Sequence, residues 1–438
     1  MRSVTIRRTG LAGVVAILLM VMLFPTAASA AGASDRPKQT RDSIFIDDMK
    51  DFNPANGVRT GTGTARDPYV ISGWDVDFVE IKDTDAYVVI TDNVIDNLTL
   101  DWIGGGIEVR NNDVGDLRVN QNRTRTGDPT SGVIENNTFD VVGQLRHFDG
   151  VFQNNVVGSK DQMRIPFFDT RAVNFDGFNG SVFRNNTIYG YMDARIHGHH
   201  HSSGFTAPSH YHGKSPESHH HSMVDHTVRY HQVHIYGNKI YADSLYALAY
   251  LDTNHSANDR TAASETEESL NDPHIHYTRV FMHDNELIGS GLYVDVFNAK
   301  DERHKDTARG LFEIRDNKIA LQPSQDATMF GARHGIDVAQ ATDVTMKIFN
   351  NVVTGIETTD QVTSMKESTE SVAGINLWQV NKADIFLSGN AISHTAFGIK
   401  ASRFTKTVQW TISELVTSDV GQSVYWDSSV PNAPRQNP

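Results

Sequence analysis

A short motif that recurs ten times constrains the fold of this chain more than any other feature of its sequence. Each copy alternates apolar and polar residues, continues with one or two polar or glycine residues, and ends on an asparagine that precedes another apolar residue. The ten copies end at Asn93, Asn112, Asn137, Asn155, Asn186, Asn238, Asn285, Asn317, Asn351 and Asn390. Their spacing varies from 18 to 52 residues, so constant strands alternate with connections of variable length.

The motif predicts a half-buried strand that ends in a tight turn. Alternation with period two places the apolar residues on one face, and Asn, Asp and Gly tolerate the left-handed backbone of such turns. One unit cannot bury its apolar face alone, whereas stacked copies bury a continuous core and bring the asparagines into a hydrogen-bonded ladder. The early spacings of 18 to 25 residues exclude a β-propeller, whose blades need about 40–45 residues. We therefore predict an all-β, right-handed parallel β-helix solenoid of about ten or more coils, with long loop insertions.

The first thirty residues are typical of a secretory signal peptide. Arg2, Arg7 and Arg8 precede an uncharged apolar run over residues 11–24, and Ala28-Ser29-Ala30 matches a cleavage site. This run is shorter than the roughly 20 residues that span a bilayer, although retention as an anchor is the alternative. We predict a signal peptide over 1–30, a linker over 31–42, the β-helix over 43–430 and a tail over 431–438. The protein is then secreted, extracellular or periplasmic, with no membrane span after cleavage.

Charge and cysteine content exclude two kinds of function. The formal net charge of −14 argues against a nucleic-acid partner, because phosphate binding needs clustered lysine and arginine. The chain has no cysteine, so it forms neither disulfides nor thiolate metal sites.

A second group of strands begins with glycine, and its alternation predicts an outward row of polar side chains. Leu292, Ile336, Ile375 and Ile399 would point inward. The residues predicted to point outward on these strands are Tyr293, Asp295, Asp337, Asn376, Trp378 and Lys400. A further strand over residues 244–252 would add Tyr246, Tyr250 and Asp252 to the outward face.

Aromatic rings beside carboxylates and a lysine are typical of a carbohydrate-binding surface, although an ordinary solvated strip has the same composition. The predicted substrate-binding residues are Tyr246, Tyr250, Asp252, Asn376 and Trp378. The candidate catalytic residues are Asp295, Asp337, Lys400, His283 and Tyr293. A glycoside hydrolase would use a carboxylate pair, Asp295 and Asp337, with Asp252 as a third candidate. A polysaccharide lyase, which we favour over the hydrolase, would use Lys400, His283 or Tyr293 as base and a metal ion to neutralise a uronate carboxylate.

Two segments near the N-terminus resemble a known family. Residues 61–74, Gly-Thr-Gly-Thr-Ala-Arg-Asp-Pro-Tyr-Val-Ile-Ser-Gly-Trp, and residues 85–93 are similar to the opening of NosD-type right-handed β-helix repeat proteins, within the pectin-lyase-like superfamily. Through the asparagine repeats the resemblance extends over roughly residues 43–405. It implies a β-helix; the family includes periplasmic copper-binding proteins, and the wider superfamily includes polysaccharide lyases, hydrolases and epimerases. Fold alone does not choose among these functions.

Histidines are concentrated in one insertion, which we place at residues 191–230 and which is not part of the common family pattern. Twelve of the twenty histidines lie between residues 197 and 234, and the Gly, Pro and Ser content predicts a surface loop. Neutral imidazole is a common ligand of Cu and Zn, and His-rich tracts are typical of metal binding. The alternatives are a polar loop with non-specific affinity and a loop with no metal role.

A second, acidic insertion over residues 253–273 is followed by His274-Ile-His276. On a strand this spacing puts both imidazoles on one face, as in many metal sites, although a solvated pair fits equally well. The predicted metal ligands are His197, His199, His201, His210, His212, His219, His221, His226, His274 and His276.

The leading hypothesis from the sequence is a secreted β-helix protein that binds Cu or Zn through the His-rich loop, next to a carbohydrate-binding face. The alternative is a polysaccharide-degrading enzyme, and a third possibility is a non-catalytic surface or matrix protein. The expected partners are a metal ion and an extracellular polysaccharide.

Overall fold

A computed structural model of the chain describes residues 38–120, 132–148, 150–161, 171–177, 181–196, 229–242, 246–254, 276–298, 309–322, 334–341, 344–356, 372–404 and 408–432. Most of these residues are in strands, and the two short 3-10 helices among them are Met49–Asp51 and Pro54–Asn56. Within the described residues no helix has the length and apolarity needed to cross a membrane.

Sixteen strands precede the His-rich insertion. They are β1 (Gln39–Ile46), β2 (Val58–Thr60), β3 (Tyr69–Ser72), β4 (Trp74–Thr84), β5 (Val88–Thr91), β6 (Val94–Ile103), β7 (Ile107–Arg110), β8 (Asp113–Asn120), β9 (Gly132–Glu135), β10 (Thr138–Phe148), β11 (Val151–Gln153), β12 (Val156–Val157), β13 (Arg171–Gly177), β14 (Val182–Arg184), β15 (Thr187–Tyr189) and β16 (Tyr191–Ile196).

Sixteen more strands follow that insertion. They are β17 (Arg229–Tyr236), β18 (Lys239–Tyr241), β19 (Tyr246–Asn254), β20 (His276–His283), β21 (Glu286–Gly289), β22 (Gly291–Asn298), β23 (Arg309–Arg315), β24 (Lys318–Leu321), β25 (Ile336–Ala339), β26 (Val344–Phe349), β27 (Val352–Thr354), β28 (Ala373–Trp378), β29 (Ala383–Ser388), β30 (Ala391–Ser402), β31 (Val408–Ser413) and β32 (Val416–Trp426).

The strands stack as the coils of a parallel β-helix, which confirms the predicted fold. A thirteen-stranded sheet contains β2 and twelve mutually parallel strands, ten of which lead into the asparagine turns; these twelve form the first face. Among the described pairings of named strands only β2 with β3 is antiparallel. A nineteen-stranded sheet holds the other two faces.

The second and third faces share one sheet because some strands continue through the bend between them. In β10, Thr138 pairs with Val156 of β12, whereas Val142 pairs with Val173 of β13. The second face comprises β12, β15, β18, β21, β24, β27 and the first halves of β1, β4, β6, β8, β10, β30 and β32. The third face comprises β13, β16, β19, β22, β25, β28 and the second halves of the same long strands.

The ten repeat asparagines form one continuous ladder. Each has at most 3% of its surface exposed. For example, the backbone N–H and the Nδ2 of Asn93 both donate to Oδ1 of Asn112, each at 3.0 Å, and Nδ2 also donates to the Ile71 carbonyl at 3.1 Å. The pattern continues coil by coil to Asn351 and Asn390. The ladder therefore satisfies the buried polar groups of the turn and fixes the stacking register.

The residue before each ladder asparagine has a left-handed backbone. Its φ is between 55° and 65° in all ten copies. Only Asn, Asp and Gly occupy the position, as at Asp92, Asn136 and Gly237, because these residues adopt this conformation at little cost. The predicted strand-turn unit is confirmed.

The core lies between the three faces and is filled by the inward rows of every coil. Phe152 stacks between Phe139 and Phe183, with ring centroids 5.9 and 4.5 Å apart, and all three rings are fully buried. Stacking identical side chains in successive coils packs the interior densely, since aromatic rings pair favourably at these distances.

The family-like segment near the N-terminus forms a cap on the first coil. Its β2–β3 hairpin and the bridge between Thr64 and Asp67 precede Trp74, whose Nε1 donates to the Gly57 carbonyl at 2.8 Å. Strand β1 begins at Gln39, four residues before the predicted domain boundary at residue 43.

The long insertions join the third face to the first face at three consecutive coils. The connections are residues 197–228 after β16, 255–275 after β19 and 299–308 after β22. The strands that resume the helix are neighbours, because Arg229 pairs with His276, and Tyr277 pairs with Arg309. The two insertions thus leave and rejoin the solenoid along one edge; the first is shorter than the predicted range 191–230, and the second lies two residues further along the chain than the predicted range 253–273.

Candidate functional site

The outward row predicted on the glycine-led strands lies on the third face. Tyr293, Asp337, Asn376, Lys400 and Tyr425 are register partners in successive coils. The intervening inward row consists of Leu292, Ile336, Ile375 and Ile399, each at most 1% exposed. A second outward row contains Asp295, Ala339, Trp378 and Ser402. The structure therefore brings six of the predicted site residues together.

The prediction that Tyr246, Tyr250 and Asp252 of β19 point outward is partly wrong. Tyr246 pairs with Gly291, but Leu248 pairs with Leu292, so β19 has one extra residue between these pairs. Such a bulge inverts the alternation that follows it. Tyr250 is consequently the partner of buried Val294, and Asp252 the partner of Val296. The outward register is occupied by Ala249 and Leu251 instead.

Asp337 is the most strongly perturbed carboxyl group of the third face. Its surface is 9% exposed, and burial raises the pKa of its side chain to about 6. Two smaller effects favour the carboxylate: Asn376 Nδ2 donates to Oδ1 at 2.8 Å, and the charge of Lys400 attracts it. A carboxyl group with this pKa exchanges its proton near neutral pH, as a general acid requires.

Asp295 is the second carboxyl group, one strand away. It is partly exposed, and burial raises the pKa of its side chain. The Tyr293 hydroxyl donates to Oδ2 at 3.3 Å, whereas the buried Oδ1 has no hydrogen-bond partner among the described residues. An unsatisfied carboxylate oxygen is rare in a folded protein. Asp101 has one too, several coils away on the same face, so it is the position of Asp295 beside Asp337 that points to a ligand.

Lys400 and His334 complete the cluster. Burial lowers the pKa of the Lys400 ammonium, although Asp337 opposes this effect, and Nζ lies 5.7 Å from the centroid of the Phe397 ring. His334 is 7% exposed, and its Nδ1 accepts the Ala373 backbone N–H at 3.0 Å. Burial, with a smaller effect of Lys400, lowers the pKa of His334 to about 3.

His334 was missed by the sequence analysis. The signal that could have found it is its position directly before Gly335, where a glycine-led strand begins. At the start of such a strand the backbone hydrogen bonds to the neighbouring coil have not yet begun, so a polar side chain there can bond to a backbone group of that coil.

The predicted catalytic residue His283 lies on a different face. It belongs to the first face, where its ring stacks on Tyr236 with centroids 4.8 Å apart and its Nδ1 lies 2.7 Å from Asp284 Oδ2. The asparagine turn follows directly, so His283 points away from the third face. The structure therefore does not combine His283 with Asp295, Asp337 or Lys400, and our grouping of these residues was wrong.

The outward side chains around His283 are satisfied by one another. Gln153 Nε2 donates to Glu135 Oε2 at 2.6 Å, Arg184 Nε donates to Gln153 Oε1 at 2.7 Å, and Arg184 Nη1 donates to the Tyr236 hydroxyl at 2.9 Å. This chain of contacts explains the polar row of the first face as a structural ladder. The third face differs because it retains an unsatisfied carboxylate oxygen.

Nine of the ten predicted metal ligands lie outside the described residues, and only the backbone of the tenth can be placed. His276 begins β20 and pairs with Arg229. Within the part of the chain that the structure describes, no group of three or more His, Asp and Glu side chains is arranged to hold a metal ion.

Comparisons of the chain with protein-family models, curated proteins and solved structures found no match. The similarity to NosD-type proteins therefore stays a prediction from the sequence.

Proposed function

We propose that this chain is a secreted, polysaccharide-degrading enzyme whose acid–base groups lie on the third face. The observation that carries the proposal is the position of Asp337 and Asp295 on adjacent coils, both with a pKa raised by burial. Groups perturbed in this way cluster at functional sites. Tyr293, Trp378 and Lys400 are partly exposed beside them and supply the rings and the cation that a sugar chain would contact.

The separation of the two carboxyl-bearing residues favours hydrolysis with inversion. Asp295 lies one strand and two residues from Asp337; a strand spacing of about 4.8 Å and a rise of about 3.3 Å per residue put their Cα atoms about 8 Å apart. Side chains that leave one face of a sheet in parallel keep roughly the separation of their Cα atoms. Inverting glycosidases hold their carboxyl groups about 6.5–9.5 Å apart, whereas retaining enzymes hold them about 5–5.5 Å apart. Asp337 would protonate the leaving oxygen, and Asp295 would activate water.

A lyase reaction at the same site is the competing chemistry, and the lowered pKa of Lys400 favours it. The neutral amine would remove the proton beside a uronate carboxylate. The two reactions give different products, because only the lyase leaves an unsaturated uronate.

The test is incubation of the full chain with a panel of neutral and acidic polysaccharides. We expect new reducing ends without unsaturated-uronate absorbance, and nuclear magnetic resonance of the first product should show inverted configuration. Asp337→Asn and Asp295→Asn should each lower kcat at least ~100-fold, since each removes one proton-transfer group.

Asp101→Asn is the matched control for these variants. Asp101 also lies on an outward position of the third face, its pKa is also raised by burial, and its Oδ1 also lacks a partner among the described residues. It is several coils from Asp337, so its variant should keep full activity. Equal losses in all three variants, or unsaturated products that depend on Lys400, would contradict the hydrolytic assignment.

We propose transition-metal binding by the His-rich insertion as a second function. The supporting observation is that residues 197–228 and 255–275 connect neighbouring coils on one edge, with Arg229 and His276 paired where the strands resume. The imidazole-only donor set suits Cu or Zn.

The metal proposal is tested by elemental analysis after size-exclusion chromatography in the presence of Cu or Zn. Deleting residues 197–226 should abolish retention, and so should replacing the histidines of this segment by Asn, which preserves its length. Retention of metal by both variants would reject the insertion as the site.

A further inference from the structure

His334, which the sequence analysis missed, lies where two other connections between strands rejoin the β-helix. Residues 323–333 precede His334 and β25, and residues 357–371 precede Ala373 and β28. Both connections join the second face to the third face, in adjacent coils. The contacts of His334 and Ala373 are therefore the first ones that align β25 with β28 after these two connections.

At this point the imidazole replaces a missing backbone partner. Ala373 is fully buried, so its N–H needs an acceptor. The parallel ladder between β25 and β28 begins only at Ile336 and Ile375, and the acceptor for Ala373 is instead Nδ1 of His334 at 3.0 Å. A second bond runs in the other direction, from the Gly335 N–H to the Ala373 carbonyl at 3.0 Å. Both polar backbone groups of Ala373 are therefore bonded to this part of the neighbouring coil.

The same spacing leads to the site in both strands. Asp337 lies three residues after His334, and Asn376 lies three residues after Ala373. These two residues are register partners, joined by the bond from Asn376 Nδ2 to Asp337 Oδ1 at 2.8 Å. Two buried residues in each strand separate the contact between His334 and Ala373 from the contact between Asp337 and Asn376.

We propose that His334 is a positioning residue: by anchoring the Ala373 amide it holds Asp337 and Asn376 together at the third face. This inference rests on the proposed function for its effect on catalysis, but not for its effect on geometry. The tautomer follows from the contact, since an Nδ1 that accepts a hydrogen bond leaves the ring proton on Nε2. The low pKa of His334 keeps this acceptor available throughout the physiological range.

Two polar substitutions of His334 distinguish the effect of losing the hydrogen-bond acceptor from the effect of changing the side chain. In His334→Asn, Oδ1 occupies nearly the position of Nδ1 and can accept the Ala373 N–H. In His334→Gln, the oxygen occupies nearly the position of Nε2 and cannot. We expect the Asn variant to resemble the wild type, and the Gln variant to lose the contact.

The geometric test measures two quantities without substrate. Hydrogen exchange in the peptide that contains Ala373 should be at least ~10-fold faster in His334→Gln than in the wild type and unchanged in His334→Asn. The titration midpoint of Asp337, followed by carbon nuclear magnetic resonance against Asp337→Asn, should shift only in the Gln variant. Identical exchange and identical titration in both variants would overturn the proposal.

The catalytic test uses the same pair of variants on a polysaccharide that the wild type cleaves. We expect His334→Gln to lower kcat ~10- to 100-fold with little change in KM, and His334→Asn to keep both. Equal kcat in the two variants would show that the anchor does not serve the reaction. If the wild type cleaves nothing, the proposed hydrolase fails, while the exchange and titration results still decide the role of His334.

Discussion

Replacing Asp337 by asparagine is expected to stabilise the protein at neutral pH. Burial raises the pKa of this group from 3.8 to about 6, so the folded state holds a proton that the unfolded state has released between these values. The group therefore contributes most stability below pH 3.8 and loses it as the pH rises through about 6. At higher pH the folded protein contains a buried carboxylate that it would be more stable without.

The magnitude follows from the shift. Two pKa units at about 1.4 kcal/mol each give a penalty of about 3 kcal/mol at neutral pH. Asp337→Asn removes the charge and keeps an oxygen that can accept the hydrogen bond from Asn376. Part of the gain is offset because Lys400 loses its opposite charge, so we expect a net stabilisation of about 1–3 kcal/mol at about pH 8 and little change at about pH 4.

The assay is urea denaturation of both proteins at the two pH values, followed by circular dichroism. Asp96→Asn, at an exposed position, is the control and should change the free energy of unfolding by less than ~0.5 kcal/mol. If Asp337→Asn destabilises the protein equally at both pH values, Asp337 is a structural acceptor, and its assignment to a functional site is refuted. Stabilisation combined with lost activity is the pattern of a residue retained for function.

Three further substitutions test the architecture, each by urea denaturation. Asn285→Ala should cost at least ~3 kcal/mol, since it leaves the buried amide groups of Asn238 without their acceptor; a loss under ~1 kcal/mol would contradict the ladder. Phe152→Ala should cost about 3–5 kcal/mol by opening a cavity in the aromatic stack, and a smaller cost would mean that the core collapses around it. Gly237→Ala should cost about 1–2 kcal/mol because its φ is 65°, and a neutral result would show that the turn can change its conformation.

The fold was predictable because every coil repeats the same local chemistry. The asparagine turn appears ten times in the sequence, and one physical requirement, an acceptor and two donors in a buried turn, places all ten side chains in one ladder. The outward positions of Tyr293, Asp337 and Lys400 followed from alternation alone, since their strands are regular.

The predictions failed where a residue's position depends on more than the alternation of its own strand. A single extra residue in β19 inverts the positions of Tyr250 and Asp252, and a bulge has no composition that would reveal it in one sequence. His283 was named as an alternative base for a lyase, but an asparagine turn and a second face separate it from the other candidates. His334 was overlooked because its role depends on Ala373, a partner 39 residues away.

The asparagine ladder stops at both ends on apolar residues, and this has a consequence for contacts between molecules. At its start Trp74 supplies only a backbone N–H to Asn93, and in the last coil Leu415 occupies the turn position that follows Asn390. A solenoid whose final turn exposed a free amide row would offer a template on which another molecule could add end to end. With leucine there, a second molecule added end to end would gain no bonds from the ladder, so the hydrogen bonds of the ladder stay within one chain.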